Sequence, residues 1–157
     1  MQQPPPEWSA IVITNEQEHF INTMGDTLAT WRLPRSTGRV YGYLLLRGDA
    51  SSTEELCSRL HLSAGAVSTA TRELVSWGLA RTLPQAGSRR LLIEAAGGFE
   101  QLLAASHERT RTFIRTLRAA EALTENAAAA TRLRDVTALF TAYVDAAEHT
   151  LEDYRSR

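Results

Sequence analysis

Apolar positions recur along this chain with two different periods. From Thr14 to about Trp31, the residues Phe20, Ile21, Met24, Leu28 and Trp31 return at helical spacing. Thr14 followed by Gln17 has the form of a capping box. Leu33-Pro34-Arg35 interrupts the pattern, and proline suits the first turn of a new helix. That helix runs to Leu46, with Val40, Tyr41, Leu44 and Leu45 periodic, and Gly48-Asp49 ends it. Ser51 or Ser52 caps a short third helix, Thr53 to Leu60, whose glutamates favour the positive end of its dipole. His61-Leu62 makes a tight turn. Ser63 then caps a fourth helix that reaches Gly78, with Val67, Ala70, Leu74 and Trp77 as its buried stripe. Beyond Gly78 the pattern changes: Leu79 to Leu83 reads as a strand, Pro84-Gln85-Ala86-Gly87 as a turn and Ser88 to Glu94 as the return strand. From Gly98 the chain is helical in two long stretches with a break near Glu125-Asn126. The first carries Phe99, Leu102, Leu103, Phe113, Ile114 and Leu117; the second carries Leu133, Val136, Phe140, Tyr143, Val144, Ala147, Leu151 and Tyr154.

Helix, tight turn, helix and hairpin in that order are the sequence form of a winged helix-turn-helix. The expected fold class is α+β, mainly helical, a winged helix-turn-helix with long N- and C-terminal dimerisation helices. Residues 1–13 are expected to form a flexible, proline-rich arm whose end Trp8, Ile11 and Ile13 pin to the body. Residues 14–32 and 97–157 form the helical dimerisation region and 33–96 the DNA-binding region, in one compact domain. Both C-terminal stripes are longer than a small winged domain can cover, so a second copy of the chain is the expected partner.

A length of 157 residues suffices for a single core. The net charge of −1 offers no general argument for a nucleic-acid partner, but its distribution does. Residues 32–93 carry nine arginines against four acids, whereas residues 1–31 carry four acids and no arginine. All 17 basic residues are arginine. The single cysteine, Cys57, excludes an intramolecular disulfide and fits a reducing compartment. It lies in the third helix, where a small buried side chain is the expected role rather than a redox sensor. No apolar run reaches the ~18 residues of a membrane span, and no signal pattern opens the chain, so a cytoplasmic protein is expected. His19, His61, His107 and His149 are scattered, with neither the pairing nor the cysteines of a metal site. No nucleophile triad order, phosphate loop or acid/base pair stands out, so neither an enzyme nor a cofactor is expected.

Burying Val67, Ala70 and Leu74 turns the opposite face of the fourth helix outward. That face holds Ala64, Gly65, Ser68, Thr69 and Arg72, with Ser63 at its start. Small side chains permit close approach in a major groove, hydroxyls reach phosphates or base edges, and an arginine reads guanine. Arg89 and Arg90 follow the hairpin turn. On adjacent strand positions they would face opposite ways, one entering the minor groove and the other meeting phosphate or packing back. Arg35 and Arg39, four apart on one helix face, suit either a phosphate contact or an inter-element salt bridge near the DNA surface, or else a structural role in which the stem covers the core. Arg35 is kept among the DNA contacts and Arg39 is read as structural.

The arrangement resembles the MarR family of regulators, and more narrowly its GbsR-like branch. The resemblance rests on Leu33-Pro34-Arg35-Ser36-Thr37-Gly38-Arg39-Val40-Tyr41-Gly42, on Leu62 to Ser68 with Arg72-Glu73-Leu74 and Trp77-Gly78-Leu79, and on the short wing Gly87-Ser88-Arg89-Arg90 with Glu94-Ala95. It departs from the branch at Ala64, where lysine is usual, and at Ser88, where an aspartate often precedes the wing arginines. The resemblance implies a homodimer on a pseudo-palindromic operator with half-sites about one helical turn apart. It also implies a repressor controlled by a small-molecule effector, in this branch a compound such as choline held by cation–π attraction. Phe20, Trp31, Tyr41 and Tyr43, with Trp8 nearby, are the aromatics available for such a pocket, or else they belong to the core. The alternative to a DNA-binding regulator is a winged-helix scaffold for protein–protein contact, against which the arginine-bearing wing argues.

Overall fold

A computed structural model describes residues 2–157. The chain divides into two compact units, Met1–Phe99 and Glu100–Arg157. The first unit holds helix α1 (Asn15–Ala29), α2 (Arg35–Arg47), strand β1 (Ser51–Ser52), α3 (Thr53–Leu60), α4 (Ala64–Ser76), β2 (Ala80–Pro84) and β3 (Leu91–Ala95). Helix α5 (Phe99–Glu121) begins at its last residue, and α5 with α6 (Ala127–Arg155) makes up the second unit.

The helix boundaries follow from caps. Both hydrogen bonds of the Thr14–Gln17 capping box form, at 3.0 and 3.1 Å. Ser52 Oγ accepts from the Glu55 amide at 3.0 Å, and Ser63 Oγ accepts from the Ala66 amide at 3.1 Å. These bonds satisfy donors that the first turn of a helix leaves free. The left-handed conformation of His61, at φ 53°, stops α3 and turns the chain into α4.

Two glycines set the packing of α1 on α2. A Cβ added at Gly38 would stand 2.6 Å from the Met24 carbonyl oxygen and 2.8 Å from Gly25 Cα. One added at Gly25 would stand 2.9 Å from the Arg35 carbonyl oxygen. The two backbones therefore touch, which only glycine at both positions permits. Arg39, one residue on, donates from Nε to Asn22 Oδ1 and from Nη1 to the Leu60 carbonyl, both at 3.0 Å. One side chain thus ties α1, α2 and the end of α3 together.

A second tie is buried. Glu55, only 2 % exposed, accepts from the Tyr43 hydroxyl at 2.6 Å and from Arg47 Nε at 2.9 Å. Burial, and then the hydrogen bond to Glu55, push the Tyr43 hydroxyl well above the usual tyrosine pKa, so it stays protonated and donates. Around these ties Leu28, Val40, Leu56, Val67, Leu74 and Leu79 form a core with no exposure. Phe20 and Leu45, which the helical period puts on buried stripes, lie at the stripe edges and are exposed.

The sheet has a third strand that the sequence pattern does not announce. Ser51 pairs with Ile93 and Ser52 with Leu92, giving the antiparallel order β1-β3-β2. Two residues are too few to display a period, and this pairing is set by distant partners. In the second unit, Asn126 Oδ1 caps α6 through the Ala129 amide at 3.0 Å. Arg111 on α5 reaches Glu148 at 2.9 Å and Asp145 at 2.8 Å, and Phe113 meets Phe140 edge-on at 5.1 Å. Leu139, Tyr143 and Tyr154 of α6 are each more than 60 % exposed, so much of its apolar stripe is uncovered.

Gly38→Ala is expected to destabilise the chain by about 1–3 kcal/mol or more in urea unfolding, because the methyl has nowhere to go. Gly65→Ala, whose Cβ would meet nothing nearer than Ser63 Oγ at 3.9 Å, should be neutral or stabilising by up to about 1 kcal/mol. Equal losses of stability at the two positions would contradict the close crossing.

Candidate nucleic-acid interface

Helix α4 buries Val67, Ala70 and Leu74 completely. Helical geometry then forces Ser63, Ala64, Gly65, Ser68, Thr69 and Arg72 outward, and all six are exposed. Of the hydroxyls along this helix, that of Thr71 is already engaged by the Val67 carbonyl at 2.8 Å. Ser63 uses its lone pairs for capping and keeps its proton to donate. Ala64, Ser68 and Arg72 line a groove of about 990 Å³ whose other wall comes from α3 and the wing, including Arg90. The groove also takes in Thr53, Glu54, Cys57 and Ser58 of α3 and Thr82 of β2. Cys57, expected as a buried side chain, is half-buried and faces this groove. The reason is its place on the α3 face turned towards the wing rather than towards α2.

The wing differs from its expected form. Strand β3 starts at Leu91, not Ser88, so Arg89 and Arg90 stand in the turn and strand alternation does not set their directions. The local hydrogen bonding explains this. The Gln85 amide donates to the Arg90 carbonyl at 3.2 Å and the Ser88 amide to the Gln85 carbonyl at 3.1 Å. Ser88 Oγ accepts from the Arg90 amide at 3.0 Å, taking a donor that a ladder bond would otherwise use. Gly87 supplies the positive φ of 72° that the turn requires. Ser88 therefore shapes the turn through its own hydroxyl. Arg90 leans towards Glu54 Oε2 at 3.8 Å, and Arg89 is exposed.

The remaining arginines of this unit are mostly committed. Arg35 pairs with Asp26 at 2.7 Å, and it stands on α2, apart from the residues that line the groove. Arg81 pairs with Glu94 at 2.5 Å, directly opposite it on the hairpin. Arg47 is held by Glu55 and by Asp49 at 3.1 Å. Glu54 and Thr82 are contributors that the sequence pattern does not single out. Glu54 reads there as a first-turn dipole partner, and only the fold brings it to Arg90.

The four candidate pocket aromatics occupy three environments. Trp31 and Tyr41 pack on the Phe99 ring, at centroid distances of 5.5 and 5.8 Å. Tyr43 is bonded to Glu55, and Phe20 is exposed on α1.

No protein-family model matches the chain. Over 72 residues it is 38% identical to the HTH-type transcriptional regulator MmpR5 of Mycobacterium tuberculosis, a stretch covering 45% of this chain and 44% of that protein. The matched region thus spans less than half the length of this curated relative. Among solved structures, the chain is similar to a transcriptional regulator with a TM-score of 0.62 and 24% identity, covering 90% of this chain and 99% of the other. A looser similarity, at a TM-score of 0.41 and 18% identity, links it to a mutant MarR from E. coli complexed with operator DNA, over 61% of this chain and 66% of that one. The mostly helical chain with its small three-stranded antiparallel sheet shares the fold of that transcriptional regulator.

Proposed function

We propose that this chain is a MarR-type transcriptional regulator of the GbsR-like branch that binds double-stranded DNA as a homodimer and acts as a repressor. The observation that carries the reading is the exposed face of α4, which is small and hydroxyl-bearing, ends in Arg72 and shares one groove with wing residue Arg90. An α4 laid in the major groove brings Ala64 and Gly65 closest to the DNA, because they have least bulk. Its first-turn amides and the Ser63 hydroxyl face phosphate. Ser68 and Thr69 reach base edges or backbone, and Arg72 is long enough to take both acceptors of a guanine. Arg89 at the wing tip extends the contact to the neighbouring backbone or minor groove. The uncovered apolar residues of α6 suit a second copy of the chain, which would place two α4 helices on the half-sites of a pseudo-palindrome. Repression needs no more than occupancy of the promoter. No described helix is long and apolar enough to cross a membrane.

Gel-shift titration on duplex flanking the chain's own gene tests this. Arg72→Ala should cost about 1–3 kcal/mol of affinity and relax preference at one base pair of each half-site. Failure to retain any duplex at low salt would favour a protein–protein scaffold. Arg89→Ala should make the plot of log affinity against log salt shallower by about 0.9 for each phosphate that the wing no longer neutralises. An unchanged slope would remove the wing from the DNA interface. Glu54→Gln removes the carboxylate that competes for Arg90 and should tighten binding by up to about 1 kcal/mol, whereas weaker binding would assign Glu54 a direct role in the complex.

A further inference from the structure

The N-terminal segment is fastened to the helix-turn-helix. Residues Glu7–Ala10 form a single 3-10 turn, and Arg59 of α3 donates to the Trp8 carbonyl with its guanidinium carbon 5.5 Å from the centre of the Trp8 ring. Between this segment and α1, α2 and α3 lies a cavity of about 500 Å³. Arg39 and Arg59 stand on its polar side, and Ile11, Ile13 and Ile21 on its apolar side.

The charge of this cavity is not balanced. Among the described residues, Arg39 bonds only to Asn22 Oδ1 and the Leu60 carbonyl, and Arg59 only to the Trp8 carbonyl. These are neutral oxygens. Arg59 Nε is buried with no partner among the described residues. Burial and the neighbouring Arg35 lower the pKa of Arg39, and Glu18 is the carboxylate that opposes them. Glu18 also lines the cavity, so one carboxylate faces two guanidiniums there, with His61 adding no negative charge. Guanidiniums partly stripped of water and short of counter-charge make a site that an anion completes. The isoleucines offer no hydrogen bonds, so the part of such an anion that lies against them is apolar. A second cavity of about 260 Å³ shares the same three isoleucines and extends to Gln17, Tyr43, Leu46 and Arg47. The Tyr43 hydroxyl and Arg47 Nε are already engaged by Glu55, and the isoleucines with Leu46 give that cavity its apolar side.

We propose that the space beneath the N-terminal segment binds a small organic monoanion with an apolar tail, of the medium-chain carboxylate class. Its head lies between Arg39 and Arg59 and its tail along the isoleucine wall. A carboxylate that takes Arg59 from the Trp8 carbonyl loosens the grip of the segment on α3, the helix that leads through the His61–Ser63 turn into α4. Only this consequence, control of DNA binding, rests on the proposed function. The sign of the ligand is opposite to that of the choline-like effector that the sequence resemblance implies.

Titration of the chain with sodium octanoate, followed by amide chemical shifts without DNA, tests the site, and 1-octanol is the neutral control. Octanoate should shift residues 8–13 and 57–61 and bind at least about tenfold more tightly than octanol, since a charge-assisted hydrogen bond is worth more than one decade of affinity. Arg59→Met should erase that preference. Ile13→Trp, which fills the cavity from its apolar side and leaves both arginines in the sequence, should abolish octanoate binding while thermal melting stays cooperative. Equal affinity for octanoate and octanol, shifts confined to other regions, or no binding of octanoate at all overturns the proposal, and the comparison of the two ligands needs no variant to fold. Octanoate binding by a chain that retains no duplex would leave the site standing and sink the regulatory reading. Retention of duplex without octanoate binding would do the reverse.

Discussion

Everything in the first unit depends on the backbone contact between Gly25 and Gly38. Because α1 and α2 touch without side chains between them, the residues flanking Gly38 are carried within reach of other elements. Arg39 comes close enough to cap the Leu60 carbonyl at the end of α3, and Tyr43 and Arg47 come close enough to Glu55 at its start. A methyl group at the crossing would move α2 outward by a fraction of an ångström at the least. Hydrogen bonds weaken steeply with distance and angle, so both ends of α3 would feel that displacement.

The Glu55 cluster shows why α3 cannot settle elsewhere. A carboxylate at 2 % exposure has lost most of its hydration, and its compensation is two donors on one oxygen, one of them charged. Such an arrangement contributes little net stability compared with an apolar core of equal volume. Its effect is selective: any other placement of α3 leaves a buried charge unpaired, at a cost of several kcal/mol. With α3 fixed at both ends, the three-residue turn His61–Ser63 leaves α4 little freedom. Its exposed face is then a consequence of what α2 holds.

Local chemistry was legible in the amino-acid pattern and distant chemistry was not. Thr14, Ser52 and Ser63 cap helices through amides three residues away, so their roles can be read from neighbours in sequence. The outward face of α4 follows from one periodicity. By contrast, β1 is two residues long and exists only through its pairing with β3. The late start of β3 depends on the Ser88 hydroxyl capturing the Arg90 amide, a choice between two acceptors that no periodicity encodes. The Leu33–Gly42 block stood out as a pattern, yet its physical reason lies in Gly25, outside the block. Trp31 and Tyr41 resembled pocket aromatics because their partner, Phe99, is far away in sequence.

The use of arginine for every basic residue makes composition a poor guide to charge and pairing a good one. Arg35, Arg47 and Arg81 each have a carboxylate within 3 Å, and their charge is neutralised inside the molecule. Arg39 and Arg59 are different, since among the described residues only neutral oxygens accept their hydrogen bonds. Arg90 is in between, 3.8 Å from an exposed Glu54 that a stronger anion can displace. A cation without its own counter-charge gains most from an anion brought by a partner, whether a phosphate or a carboxylate. On the proposed reading the chain has two such places, the α4 face with the wing and the cavity under Trp8. The route between them is short, because Arg59 stands on α3 just before the turn that leads into α4. Charge supplied at the cavity therefore acts on the helix pair that presents charge to DNA, and the coupling needs no element beyond α3 itself.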